Sequence, residues 1–122
     1  MRTLSISICL LGAVCLSLVS LAVAGPPADL DAGQAVHKKM CFRCHGEEGK
    51  GDGPASKLLK VKPADWTDAE RMSQYSTEEL FQLIKLGGEA AGKAKLMPVF
   101  SSKLKDPQIN DVVAFLQSLQ QK

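Results

Sequence analysis

Five consecutive residues in the first half of the chain, Cys41 to His45, constrain its fold more than any other feature. Two thiols three residues apart are followed at once by a histidine. Thiols at this spacing can add across the two vinyl groups of a haem, and the adjacent imidazole can then ligate the iron from one face. The C-x-x-C-H spacing is typical of c-type haem attachment, so we expect the chain to fold around one covalently bound haem.

Residues 1–24 have the layout of a secretory signal peptide. A positive n-region at Arg2 precedes an apolar, uncharged stretch, and Ala22-Val23-Ala24 is a small-x-small cleavage site. We expect cleavage before Gly25, which makes 25–122 a mature domain exported to the periplasm. An uncleaved membrane anchor is the alternative, because the apolar stretch is nearly long enough to span a bilayer.

Cleavage would leave Cys41 and Cys44 as the only thiols of the exported chain, since the two other cysteines lie in the signal segment. Three further uses of this pair stay open. A thioredoxin-like dithiol needs a βαβ context, which the pattern does not show. A zinc site built with His37 and His45 departs from the usual two-pair spacing. A disulfide would close too small a loop to stabilise much.

The mature chain of 98 residues (122 minus 24) is one small domain. A protein of this size buries only about two-thirds of its unfolded surface, and an enclosed haem would supply the missing apolar core. Its 14 basic and 13 acidic residues leave a net charge of +1. Because no global field favours nucleic acid or an anionic membrane, we expect neither as a partner.

The mature sequence has the pattern of helices without a convincing strand, which predicts an all-α fold of four to five helices. Asp31 is the expected N-cap of a first helix that ends near Cys44. The glycine-rich residues 46–54 form a loop. We expect a short helix over 55–60 and a second one after the turn at 63–68.

Two longer helices follow. Ser76 and Glu79 form a capping box at the start of a helix that stops at Gly87-Gly88. Asp106 as N-cap and Pro107 at the first helical position begin the last helix. Its apolar residues recur with a period of about 3.6 residues. They are Ile109, Val112, Val113, Leu116 and Leu119, with Phe115 beside them.

Several segments in this order resemble class I c-type cytochromes over essentially all of the mature length. Gly33 lies eight residues before Cys41, where the family puts a glycine at the contact between the first and last helices. Phe115 stands where the family puts the aromatic that crosses it. The residues from Gly51 to Pro54 resemble the loop after the attachment motif, and those from Met97 to Phe100 resemble the distal ligand segment. The resemblance implies a cytochrome c-like fold with one haem c.

Pro54 and His37 lie near the motif, and each has an expected structural role. A ligating histidine usually donates its other ring nitrogen to a carbonyl, and the resemblance suggests that the carbonyl of Pro54 accepts from His45. Simple turn formation is the alternative role for Pro54.

His37, four residues before Cys41, departs from the Tyr or Phe of many relatives. We expect it to pack at the helix contact.

Three methionines of the mature chain are candidates for the sixth iron ligand. Met40 adjoins Cys41 and cannot readily reach the opposite face, and Met72 lies in a polar stretch. Met97 lies in a long irregular loop whose exit Pro98 stiffens, so we predict Met97, with adaptable core packing as the alternative. A His/Met pair favours electron transfer over catalysis, since a thioether stabilises ferrous iron and no coordination position stays open.

Other residues have two interpretations each. Trp66 either donates its indole N–H to a haem propionate or is a core aromatic wetted at one end. A group of lysines either steers an acidic partner to the haem edge or is solvated surface. Its members are Lys38, Lys39, Lys57, Lys60, Lys62, Lys93 and Lys95.

These features predict a periplasmic, monomeric monohaem cytochrome that passes single electrons between redox proteins and is not an enzyme. The alternative keeps the haem but changes the role. In that case the chain is a haem-bearing subunit or sensor module of a larger redox complex, and its sixth ligand dissociates to admit a small molecule.

Overall fold

The computed structural model describes residues 26–121. The predicted signal peptide and its cleavage site lie outside the described residues. Within 26–121 the chain forms helices and turns and no strand, so the predicted all-α fold is confirmed. In the same range no helix is long and apolar enough to cross a membrane.

The number of helices agrees with the predicted four to five. The α-helices of the described residues are α1 (Leu30–Val36), α2 (Phe42–His45), α3 (Ala69–Met72), α4 (Thr77–Ala90) and α5 (Asp106–Ser118). A π-helical turn, His37–Cys41, joins α1 to α2, and tighter 3-10 turns cover Pro54–Leu58 and Leu119–Gln121. The short helix predicted over 55–60 is therefore a 3-10 turn that begins one residue earlier.

Helix α1 begins before its predicted start. Its N-cap is Asp29, whose side chain accepts from the amide of Ala32 at 3.0 Å. The predicted cap, Asp31, lies in the first turn instead. The difference has a long-range cause, because the amide of Asp29 donates to Oδ1 of Asp111 on α5 at 2.9 Å. That bond fixes Asp29 where it can cap the helix.

The starts of the two longer helices were largely predictable. The capping box at α4 is confirmed: the amide of Glu79 donates to the Ser76 hydroxyl at 3.2 Å, and the amide of Ser76 donates to the Glu79 carboxylate at 2.7 Å. Helix α5 begins one residue earlier than predicted. Lys105 is its N-cap, because the Lys105 amide donates to the side-chain carbonyl of Gln108 at 3.0 Å. Asp106 is consequently the first helical residue.

The core lies where α1 crosses α5. Gly33 is buried at the crossing, and a Cβ atom added there would clash with the Asp111 carbonyl and lie 2.9 Å from Cβ of Phe115. The expected contact between glycine and aromatic is therefore present. The predicted apolar positions of α5 are buried, and α4 and the segments around it complete the core. The buried residues are Trp66, Met72, Leu80, Ile84, Phe100, Leu104, Ile109, Val112, Val113, Phe115, Leu116 and Leu119.

Candidate functional site

The π-helical turn and α2 carry the two cysteines and the adjacent histidine on one short segment. Cys41 and Cys44 are partly buried and both are free thiols. Burial, with a smaller contribution from Cys44, raises the pKa of the Cys41 thiol to about 11. Because both thiols are free, the pair is not joined as a disulfide. Because its pKa is raised, the Cys41 thiol is protonated at neutral pH.

The loop after the motif folds back onto the motif's own carbonyl groups. The amides of Gly46, Gly51 and Gly53 donate to the carbonyls of Phe42, His45 and Cys44 at 2.9, 2.8 and 3.2 Å. The bond from Gly46 to Phe42 is the last helical bond of α2, whereas the Cys44 and His45 carbonyls lie at the helix end and need partners from outside it. A Cβ atom on Gly53 would lie 2.5 Å from the Phe42 carbonyl oxygen, so the approach needs glycine. We call these three bonds the glycine clasp. The sequence indicated a glycine-rich loop but did not indicate the clasp. The spacing of Gly46, Gly51 and Gly53 is the sequence signal that could have indicated it.

His45 is held against an aromatic ring. Its imidazole stacks on Trp66, with 3.9 Å between ring centroids and 20° between planes, and the Trp66 amide donates to the Gly49 carbonyl at 2.8 Å. Burial lowers the pKa of His45 to about 4, while contact with the Ala64 backbone opposes the shift. The imidazole is therefore neutral at pH 7, which is the form that ligates metals.

The Nδ1 atom of His45 is buried and has no hydrogen-bond partner among residues 26–121. Pro54 begins the 3-10 turn that follows the clasp, next to Gly53, which bonds the motif. The acceptor role of Pro54 stays a prediction. Trp66 is 6 % exposed in the core, and its predicted propionate contact likewise stays a prediction.

A second histidine, His37, also contacts Trp66. His37 is completely buried, with its ring centroid 5.6 Å from that of Trp66 and 5.4 Å from that of Phe115. The expectation that it packs at the helix contact agrees with this position. The sequence did not indicate that both histidines would contact Trp66, with the His45 ring stacked on the indole and the His37 ring edge-on to it.

The three candidate methionines have different surroundings. Met72 is 3 % exposed and belongs to the core. Met40 and Met97 are partly buried and pack against that core. Met97 belongs to the segment between α4 and α5, away in sequence from the cysteine motif, and its carbonyl accepts from the amide of Gly88 at 3.0 Å.

The alternative uses of the cysteines find no support in the part of the chain that the structure describes. Residues 26–121 contain no group of three or more His, Cys, Asp or Glu side chains that could hold a metal ion. The zinc site considered for His37, Cys41, Cys44 and His45 is therefore not assembled. The strands that a thioredoxin-like dithiol would need are absent from the same residues.

The residues present fit a haem. Two free thiols, a neutral imidazole and a thioether are the donor set that c-type haem needs. Large apolar side chains are also exposed within the motif, in the chain segment that follows it and on both sides of Met97 in sequence, and a porphyrin can cover such surface. These side chains are Phe42, Leu58, Val61, Leu96 and Val99.

The known sequences that this chain resembles are those of c-type cytochromes. Residues 30–120 match the family model described as cytochrome c. Cytochrome c6 of Thermosynechococcus vestitus is 34% identical over 116 residues, which covers 95% of this chain and 91% of the relative. Cytochrome c6 of Thermostichus vulcanus is 32% identical over 117 residues, with the same coverage of 95% and 91%.

Solved structures share the fold. The KustC0563 c-type cytochrome superposes with a TM-score of 0.59 at 22% identity, over 72% of this chain and 96% of that one. A chain of a reducing HAO-like protein complex from Kuenenia stuttgartiensis superposes with a TM-score of 0.58 at 24% identity. That match covers 74% of this chain but only 43% of the larger one.

Proposed function

This chain belongs to the cytochrome c family, and on that premise we propose that it carries single electrons between redox proteins in the periplasm through a haem c ligated by His45 and Met97. As a family member it is a haem-bearing electron carrier with one haem c attached covalently. The observation that carries the proposal is the motif segment itself. Cys41 and Cys44 are free, His45 follows directly, and the glycine clasp fixes the carbonyls of the same turn.

Four side chains would hold the haem. Cys41 and Cys44 would form the thioether bonds, and His45 and Met97 would ligate the iron, with the His45 ring stacked on Trp66. When bound, the haem would supply the one-electron couple between ferric and ferrous iron. A thioether ligand raises the reduction potential by favouring ferrous iron. Two retained ligands exclude substrate and dioxygen, which is why we propose transfer rather than catalysis.

The ligand pair is tested by Met97→Ala. In the oxidised wild type we expect the far-red charge-transfer band that marks thioether coordination of ferric haem, and we expect Met97→Ala to lose it with the haem still attached. The reduction potential should fall, because the thioether no longer favours ferrous iron. Optical spectra recorded during a redox titration measure both quantities, and a pyridine haemochrome assay confirms attachment.

Met72→Ala is the matched control, since Met72 is buried in the core. We expect it to lose stability but to keep the band. A band that survives in Met97→Ala would disprove the assignment of the sixth ligand. A wild type without the band, whose ferrous form binds carbon monoxide, would instead indicate the subunit or sensor module with a labile ligand.

The location and the partners belong to the same proposal. We propose that residues 1–24 are removed on export and that 25–122 act as a monomer, which N-terminal sequencing and light scattering of the exported protein test. Donor and acceptor are redox proteins. Lys57, Lys60 and Lys62 lie on a surface segment without an acidic residue between them and would favour an acidic partner.

A further inference from the structure

Helix α4 is kinked at Gly87, within its range of Thr77–Ala90, so its first, regular part stops at the predicted Gly87-Gly88. Hydrogen-bond partners are exchanged at this kink. Gly87 leaves the helix with φ 81° and ψ 170°, a backbone conformation that is essentially restricted to glycine. In an unbroken helix the amide of Gly88 would donate to the carbonyl of Ile84, four residues earlier. Here it donates to the carbonyl of Met97, with 3.0 Å between nitrogen and oxygen.

The returning chain bonds to the carbonyls that the broken helix leaves free. The amide of Phe100 donates to the Ile84 carbonyl at 3.3 Å, and the amide of Ser101 donates to the Lys85 carbonyl at 3.1 Å. Carbonyl groups at the end of a helix need partners from outside it. The segment that contains Met97 is therefore bonded to α4 at Met97 itself and again three residues later.

The contact between Met97 and the helix end also depends on the absence of side chains. A Cβ atom on Gly88 would clash with the Ala94 carbonyl and lie 3.1 Å from Cβ of Met97. A Cβ atom on Gly87 would lie 3.0 Å from the Met97 carbonyl oxygen. The Gly88 carbonyl in turn accepts from the amide of Lys93 at 2.7 Å. Both backbone polar groups of Gly88 thus bond the same loop.

We propose that Gly87 and Gly88 form a glycine clamp, a pair of positioning residues that holds Met97 where its sulfur can ligate the iron in both oxidation states. The inference rests on the proposed ligation by Met97 and goes beyond it, because it assigns the retention of the ligand to the backbone at the end of α4. Releasing the clamp breaks the bond at Met97 itself without altering Cys41, Cys44 or His45.

The test uses Gly88→Ala in the full-length, haem-loaded protein. We expect haem content and far-UV circular dichroism like those of the wild type, together with loss of the far-red band, a lower reduction potential and carbon monoxide binding by the ferrous form. Gly87→Ala should give the same result. Alanine disfavours the backbone angles of Gly87, so α4 continues and the Gly88 amide returns to Ile84.

Gly92→Asn is the matched control in the same loop. Within the part of the chain that the structure describes, a Cβ atom on Gly92 meets nothing within 4 Å, and φ there is 65°, which asparagine tolerates. We expect this variant to keep the band and the potential. If Gly88→Ala also keeps both, the clamp is disproved while ligation by Met97 stands. A wild type without the band would disprove the ligation and the clamp together.

Amide hydrogen exchange in the oxidised wild type gives a result even where the alanine variants fail to fold. The clamp predicts that the Gly88 amide exchanges as slowly as amides inside α4, because it donates to the Met97 carbonyl. Fast exchange at Gly88 in a protein that shows the far-red band would disprove the clamp.

Discussion

His37 places two hydrogen-bonding nitrogens among aromatic rings. The side chain is 0 % exposed, and neither ring nitrogen makes a hydrogen bond of good geometry to any of residues 26–121. Its ring neighbours are Trp66 and Phe115. A buried polar group without a partner costs about 1–3 kcal/mol. A phenylalanine would fill similar space without that cost, so the histidine lowers the stability of the contact between α1 and α5.

Burial of His37 makes the stability of the protein depend on pH. Burial lowers the pKa of His37 below its ordinary value of 6.5, the Gly46 backbone opposes the shift, and Lys38 adds to it. The unfolded chain therefore takes up a proton at a higher pH than the folded one. We expect the free energy of unfolding to fall as the pH drops below about 6.5, by at most about 1.4 kcal/mol per pH unit, until the lowered pKa of the folded state is passed.

Urea unfolding of the haem-loaded protein at a series of pH values measures this slope. His37→Phe is the control, because it keeps His45 and every carboxylate and removes only one titrating group. We expect the variant to be more stable than the wild type at pH 7 by about 1 kcal/mol and to lack the His37 part of the slope. Equal slopes in the two proteins would show that His37 is not buried in its neutral form.

At the scale of elements, the crossing of α1 and α5 depends on one missing side chain. Gly33 faces the Asp111 carbonyl, and the neighbouring Asp29 amide donates to the Asp111 carboxylate. Adding a methyl group to a packed contact costs about 1–3 kcal/mol. We expect Gly33→Ala to lower the free energy of unfolding by about that amount, measured by urea unfolding of the haem-loaded protein.

Gln34→Ala is the control for helix propensity, since Gln34 lies next to Gly33 on the same helix and is exposed. We expect it to change the free energy of unfolding by less than about 0.5 kcal/mol. If both variants have the same small effect, the two helices can move apart, and the close approach contributes little to the fold.

The same elements show which features the sequence could predict. The capping box joins Ser76 to Glu79, and both partners lie within one helical turn, so local pattern was sufficient. The cap of α1 was misplaced because Asp29 and Asp31 suit the position equally well until a bond from α5 selects Asp29. The bond between Gly88 and Met97 escaped prediction for the same reason, since it exists only after the chain has returned to α4.

At the scale of the whole molecule, the domain leaves large apolar side chains in contact with solvent. Leu58 is 87 % exposed, Leu96 62 % and Val61 61 %. Leu58 and Val61 lie in the segment after the cysteine motif, and Leu96 directly precedes Met97. The buried core, by contrast, lies on α5 and the elements that contact it. A domain of this size is only marginally stable. Covering these side chains with the haem would therefore stabilise the fold in addition to serving electron transfer.

The haem should therefore contribute a large share of the folding free energy. We expect a double variant, Cys41→Ser with Cys44→Ser, to be exported without covalent haem and to be less stable than the wild type by several kcal/mol, because covering each large aliphatic side chain contributes about 1.5–3 kcal/mol. Urea unfolding followed by circular dichroism measures the loss, and a dye that fluoresces on exposed apolar surface should bind the variant more strongly. Since serine differs from cysteine by one atom, the free chain itself is hardly changed. Equal stability of the two proteins would mean that the apolar side chains beside the motif and beside Met97 do not cover the haem, and that the core around α5 folds without it.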